Sequence, residues 1–260
     1  NVLALLLPLL VVVGVSCRSS SSSSSSSSQW SFAPGTTAVV TGGTKGIGKA
    51  IVEQLLVAGV RVLTCARNRN DLDTCLQQEE WMTYDCTGIV ADVSTQQGRE
   101  VLVSAIQEWL GGNKNNKKPH LDILINNVGT NIRKPSIDYD LEELRFLLST
   151  NLESMICLTT MCHSLLKKGG CVVNIGSVAG VTCMKSGSIY AATKAAMNQL
   201  TGNWACEWGK TDQIRVNCVA PWYINTELAQ QVLQNPVYRK AVMERTPLGR
   251  GGEPHEVASL

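Results

Sequence analysis

From Thr36 onward, short apolar runs alternate with stretches of helical periodicity, and no other feature narrows the possible folds so far. The runs Thr37–Val40, Val60–Cys65, Thr87–Val90, Ile123–Asn126, Cys171–Ile175 and Arg215–Val219 read as strands. Each is brief and rich in Val, Ile, Leu or Cys, as strands covered on both faces are. Between them, helices are expected near Ile47–Ala58, Arg69–Glu80, Thr95–Trp109, Leu141–Leu166, Ser188–Trp208 and Thr226–Glu244. Such alternation calls for parallel neighbours joined by crossover helices, so the expected fold is one doubly wound α/β domain with helices on both faces of the sheet. The stretch Leu141–Leu166 is too long for one undistorted helix and is expected to break around Asn151, and the polar Lys114–Pro119 reads as a surface loop.

A chain of 260 residues holds one such domain. Lys+Arg 23 against Asp+Glu 21 and 44% hydrophobic residues exclude a disordered protein and give no reason to expect a nucleic-acid partner. Small molecules are the expected partners. The 10 cysteines are scattered without a Cys-x-x-Cys pair, and His120, His163 and His255 are far apart, so no metal site is expected. Most of the cysteines read as buried thiols of a reducing compartment, with a disulfide framework as the alternative.

Residues 1–33 are set outside the domain, which is assigned to 34–260. Val2–Val15 is almost wholly apolar but shorter than the ~20 residues that span a bilayer, so no stable membrane span is expected. Ser19–Ser28 is an unbroken serine run that cannot pack. A signal peptide without its basic segment, a plastid transit peptide and a mispredicted start all remain open, which leaves plastid or cytoplasm as the expected location. At the other end, Gly252-Glu253-Pro254-His255-Glu256 reads as a loop and a helix barely begun, so the domain is expected to be cut before its last strand.

Thr41-Gly42-Gly43-Thr44-Lys45-Gly46-Ile47-Gly48 runs from an apolar strand into an amphipathic helix. Glycines there permit a tight bend and let backbone approach a pyrophosphate seated on the helix N-terminus. The spacing T-G-x-x-x-G-x-G resembles the short-chain dehydrogenase/reductase family, whose fold is a Rossmann-type sheet. That resemblance implies cofactor contacts from Thr41, Gly42, Thr44, Lys45, Gly46, Ile47 and Gly48. Asn126-Asn127-Val128-Gly129 is similar to the family's N-N-A-G and would set Asn127 and Gly129 beside the nicotinamide ribose. Asp92 resembles the residue that contacts the adenine amino group, with a helix-capping role as the alternative. Pro221, Ile224 and Thr226 match the segment that contacts the carboxamide, although Trp222 stands where glycine is usual.

The second strand ends Leu63-Thr64-Cys65-Ala66-Arg67, with no acid until Asp71. A carboxylate there would hold the ribose 2′-hydroxyl of NAD, whereas a cation accommodates the 2′-phosphate of NADP. Arg67, with Lys45, therefore points to NADP(H).

Ser177 follows the fifth strand candidate, and Tyr190 and Lys194 stand at positions i and i+4 of the next helix, on one face. A cation beside a phenol stabilises phenolate and is expected to lower its pKa, so Tyr190 could exchange a proton with a substrate oxygen. The resemblance adds Ser177 as the group that orients the carbonyl oxygen and Asn151 as the asparagine that holds a water in the proton relay to Lys194. The implied activity is reduction of a carbonyl to a secondary alcohol, or the reverse. Trp222 together with Asn126–Pro135 is similar to the plant tropinone reductase-like branch. A catalytically silent dinucleotide-binding scaffold is the alternative, and loss of Ser177, Tyr190 or Lys194 would have favoured it. Pocket segments with Val128, Ile132, Val181, Met184, Ile189, Trp222 and Tyr223 suit an apolar or cyclic ketone. An inward Lys185 would disfavour a cationic one. The resemblance also implies a homodimer or homotetramer, formed through Leu144–Leu166 and Ala191–Trp208.

Overall fold

The computed structural model describes residues 11–13, 31–111 and 120–260. Its strands are β1 (Val11–Val13), β2 (Thr37–Thr41), β3 (Arg61–Ala66), β4 (Cys86–Val90), β5 (Leu121–Asn126), β6 (Leu166–Ile175) and β7 (Arg215–Ala220). Its α-helices are α1 (Gly46–Val57), α2 (Arg69–Leu76), α3 (Glu79–Met82), α4 (Gln96–Gly111), α5 (Leu141–Leu148), α6 (Ser154–Cys162), α7 (Ser188–Thr211), α8 (Glu227–Leu233), α9 (Pro236–Glu244) and α10 (Pro254–Ala258). The sheet order is β1-β7-β6-β5-β2-β3-β4, and β2 to β7 are all parallel. From β2 the chain winds outward through β3 and β4, then returns to lay β5 on the other side of β2. Loops leaving β2 and β5 therefore diverge at the strands' carboxyl ends, and a crevice opens there.

Burial on both faces explains the uninterrupted apolar strands. Val39 and Leu63 point into a core shared with Leu102 and Ile106 of α4, Leu158 of α6 and Met197 of α7. Ala38, Val40 and Val62 point the other way, against Ile51, Val52 and Leu56 of α1 and Val257 of α10. Successive strand residues thus feed opposite layers, as a period of two requires.

Several boundaries differ from the sequence reading, each for a local reason. The single helix expected over Arg69–Glu80 is two, because α2 ends at its C-cap Gln77 and α3 restarts after Gln78. The one expected over Thr226–Glu244 is also two, since Asn235 caps α9 and Pro236 occupies its first turn. Near Asn151 the helix does not break. It widens into a π-helical segment, Ser149–Glu153, that carries α5 into α6. Helical character then ends in a 3₁₀ turn at His163–Leu165, and Leu166 already belongs to β6. Setting residues 1–33 wholly outside the fold is corrected at two points. The β-branched Val11–Val13 pairs antiparallel with β7 through the open sheet edge, and Phe32 packs against the second core cluster. The serine run and Lys114–Pro119 lie outside the described residues.

The nine described cysteines are free thiols, with Cys65, Cys75, Cys162, Cys171 and Cys218 buried. Among the described residues no helix is long and apolar enough to cross a membrane.

Candidate active site

Parallel register puts the loops after β2, β3, β5, β6 and β7 along one edge, where they enclose a cleft of about 670 Å³. Its walls include Gly42, Thr44, Lys45, Gly46, Ile47, Arg67, Asp92, Asn127, Gly129, Ser177, Tyr190, Lys194, Pro221, Ile224 and Thr226. Residues up to 185 positions apart in sequence, from Thr41 to Thr226, belong to one construction. Thr41, Gly48 and Asn151 stand behind the wall and hold it. The Thr41 hydroxyl accepts from the Asn127 and Val128 amides at 2.9 and 3.1 Å, and Asn127 Nδ2 donates to the Thr41 and Gly42 carbonyls. Asn126 turns inward instead. It donates to Thr159 Oγ1 and Asn174 Oδ1, and Asn174 donates to Thr201 Oγ1, a buried polar chain that ties β5 and β6 to α6 and α7.

The glycine turn has the features of an anion cradle. Gly42 and Gly46 have φ of 67° and 53°, and a Cβ on Gly48 would stand 2.2 Å from the Gly42 carbonyl oxygen. Helix α1 starts without a side-chain cap and with no acid in its first turn. By contrast α2, α5, α8 and α9 are capped by Asn68, Asp140, Thr226 and Asn235. The first amides of α1 are thus left for an anion in the cleft, which fits a dinucleotide's pyrophosphate. Thr150 lines the same cleft with a buried hydroxyl that has no partner among the described residues.

At the end of β3, Arg67 is exposed and carries no ion pair among the described residues. Lys45 is less available than its sequence position suggests, because its ammonium pairs with Asp71 at 3.1 Å and approaches Glu227 at 3.8 Å. That pairing also engages the first acid after β3. Asp92 lines the cleft while accepting from the amide and hydroxyl of Ser94, and the capping alternative falls to Thr95, whose hydroxyl accepts from the Gly98 amide.

On the opposite side, Ser177 Oγ accepts from the Ala179 amide at 3.1 Å and lines the cleft together with Tyr190. Lys194 is buried, donates to the Ile175 carbonyl at 2.7 Å and stands 5.8 Å from the Tyr190 ring centre. Asn151 is wholly buried in the π-helical segment, and its amide grips both backbone groups of Thr130 at 2.7 and 2.9 Å. This fixes the loop after β5 across from Lys194. Electrostatically the site departs from the expected lowering of the tyrosine. Burial raises the Tyr190 pKa, outweighing the opposing pull of Ser177 and Arg133. The same desolvation lowers Lys194 to about 8.

Among the expected pocket residues, Val128, Met184, Trp222 and Tyr223 line the cleft, whereas Ile132, Val181 and Ile189 do not. Lys185 is exposed and points outside the lining. Sequence reasoning passed over Arg133 and Thr150, since no spacing marks either one.

Fold and cleft together define a dinucleotide-binding α/β oxidoreductase. The short chain dehydrogenase description matches residues 36–236. A tropinone reductase homolog of Arabidopsis thaliana is 50% identical over 234 residues, covering 89% of this chain and 85% of the relative. A chloroplastic tropinone reductase homolog of the same plant is 47% identical, covering 89% and 70%. Among solved structures, an actinorhodin polyketide ketoreductase with NADPH superposes with a TM-score of 0.77 at 27% identity, covering 86% of this chain and 87% of that one. The chain belongs to the short-chain dehydrogenase family, in its tropinone reductase-like branch, and its general chemistry is oxidoreduction between carbonyls and alcohols.

Proposed function

We propose that the protein is an NADP(H)-dependent reductase of an apolar or cyclic ketone, with Tyr190 as the general acid. The observation that carries this reading is the meeting of Ser177, Tyr190 and Lys194 with an uncapped glycine cradle in one cleft. Bound NADPH would supply the hydride. The amides at the start of α1 would hold the pyrophosphate, Arg67 the 2′-phosphate, Asp92 the adenine, and the segment Pro221–Thr226 the carboxamide.

The chain's own work is proton handling and orientation. Ser177 directs the carbonyl oxygen toward the Tyr190 hydroxyl. Because burial raises the tyrosine's pKa, the phenol is fully protonated at neutral pH and ready to donate as charge develops on that oxygen. Lys194, one helical turn away on α7, stabilises the phenolate left behind, and Asn151 steadies the wall facing it. Reprotonation from solvent through Lys194 then restores the acid.

The test is kinetic. The wild type should prefer NADPH over NADH in kcat/KM, and Arg67→Asp should reverse that preference; equal use of both cofactors overturns the NADP assignment. Tyr190→Phe should bind NADPH nearly as the parent does while kcat falls by about 10²–10⁴. A Tyr190→Phe enzyme that keeps most of its kcat places the proton source elsewhere. The silent-scaffold alternative predicts NADPH binding without turnover on any ketone of a cyclic panel. For location, plastid or cytoplasm, a fluorescent fusion of the full chain distinguishes the two.

A further inference from the structure

The cations that line the cleft differ in what neutralises them. Lys45 has Asp71 and Glu227, and Lys194 has the Ile175 carbonyl. Arg67 is open to the phosphate end. Arg133, in the loop after β5, lies at the other end against Tyr223, which follows β7. Its neighbour in sequence, Lys134, is paired with Glu143 outside the cleft lining, whereas Arg133 has no carboxylate partner among the described residues.

What Arg133 does contact is neutral. Its Nη1 donates to the Tyr223 hydroxyl at a long 3.3 Å, and its guanidinium carbon is 5.7 Å from that ring's centre. The Tyr223 hydroxyl is shared with Tyr238 at 2.5 Å, and burial pushes its pKa up to about 12, so no phenolate balances the guanidinium. Arg133 Nε is buried with no acceptor among the described residues. A half-buried guanidinium with an unused donor, in a cleft that Met184, Trp222 and Tyr223 also line, is costly unless something else satisfies it. Its planar fork matches a carboxylate in two-point geometry. The guanidinium also acts on the Tyr190 phenol from within the same cleft, so an anion held there would share that cleft with the reacting carbonyl.

From this geometry we infer that the substrate is a ketone bearing a carboxylate, or an equivalent anionic acceptor, which Arg133 clamps while its carbonyl meets Ser177 and Tyr190. This rests on the reductase reading above and names its substrate class. It also sets the site against ketones that carry an ammonium group, which would meet Arg133 with like charge.

The experiment compares 3-oxocyclohexanecarboxylate with its methyl ester, using NADPH and the full chain. The wild type should favour the carboxylate by roughly ten- to hundredfold in kcat/KM, the worth of one charge-assisted pair. In Arg133→Met that ratio should fall to about one, and Arg133→Lys should restore part of it. A wild-type ratio at or below one, or a ratio unmoved in Arg133→Met, overturns the inference while leaving the reductase reading intact. Calorimetric binding of cyclohexanecarboxylate and its methyl ester in the presence of NADP⁺ keeps the test independent of turnover. Tighter binding of the acid that disappears in Arg133→Met supports the anion site even if no ketone is reduced, and equal binding of acid and ester overturns it.

Discussion

Lys194 is an ammonium largely withdrawn from water at the wall of the cleft, and that position sets its stability cost apart from its chemistry. Its pKa lies near 8 in the folded chain against the ordinary 10.5. Below about pH 8 both the folded and unfolded chains carry the proton, and the full cost of burying the charge is present. Between 8 and 10.5 the unfolded chain binds more protons, so stability rises with pH and the cost is gone above that window. Lys194→Met should therefore be more stable than the parent at pH 7, by about 1–3 kcal/mol after loss of the bond to Ile175. The gap should shrink as pH rises toward 10; urea unfolding at both ends of the window measures it. A variant less stable at pH 7 would show that the Ile175 bond outweighs desolvation. The motif was readable at this scale because i, i+4 spacing is intrinsic to a helix. The direction of the Tyr190 shift was not, because burial depends on what packs around the phenol.

At the scale of elements, the turn between β2 and α1 leaves no room for a side chain. A Cβ on Gly48 would meet the Gly42 carbonyl oxygen at 2.2 Å and Asn127 Nδ2 at 2.4 Å, both fixed within the same hydrogen-bonded loop. Gly48→Ala should cost about 1–3 kcal/mol of stability and weaken NADPH binding at least tenfold, as thermal unfolding and a fluorescence titration would register. Unchanged binding would mean that the cradle tolerates displacement. The strands were legible from their apolar runs, and α1 from its buried Ile51, Val52 and Leu56 at helical spacing. The joints were less so. Asn235-Pro236 and the pair Gln77-Gln78 end helices by capping and local geometry, signals that a window scanning for periodicity averages away. The π-helical widening at Asn151 accompanies the grip of its amide on the Thr130 backbone behind the cleft wall, a contact that no local pattern encodes.

For the whole molecule, association is the open structural expectation. Leu141, Phe146, Leu148 and Met161 are exposed large hydrophobics along α5 to α6, a density that a partner copy would cover. Light scattering should give a homodimer or homotetramer, and Phe146→Asp should shift the population toward the monomer without loss of helical circular dichroism. A parent that stays at 28.1 kDa across the working concentration range excludes the oligomer.

By itself, the sequence carried the parallel α/β architecture, the position of the glycine turn after β2 and, through a family resemblance, the serine, tyrosine and lysine that meet in the cleft. The architecture, the turn and the Tyr190–Lys194 pair rest on periodicity or spacing within one element or one turn, and such short-range relations survive any later packing; Ser177, on a different loop, came only with the resemblance. Only the tertiary structure decided which cations stay unpaired. Lys45 is engaged by Asp71 and Glu227, Lys134 by Glu143, while Arg133 is left against the neutral phenol of Tyr223 in the loop after β7. Charge compensation is a through-space property that falls off over a few ångströms, so it is fixed when distant segments meet and not before.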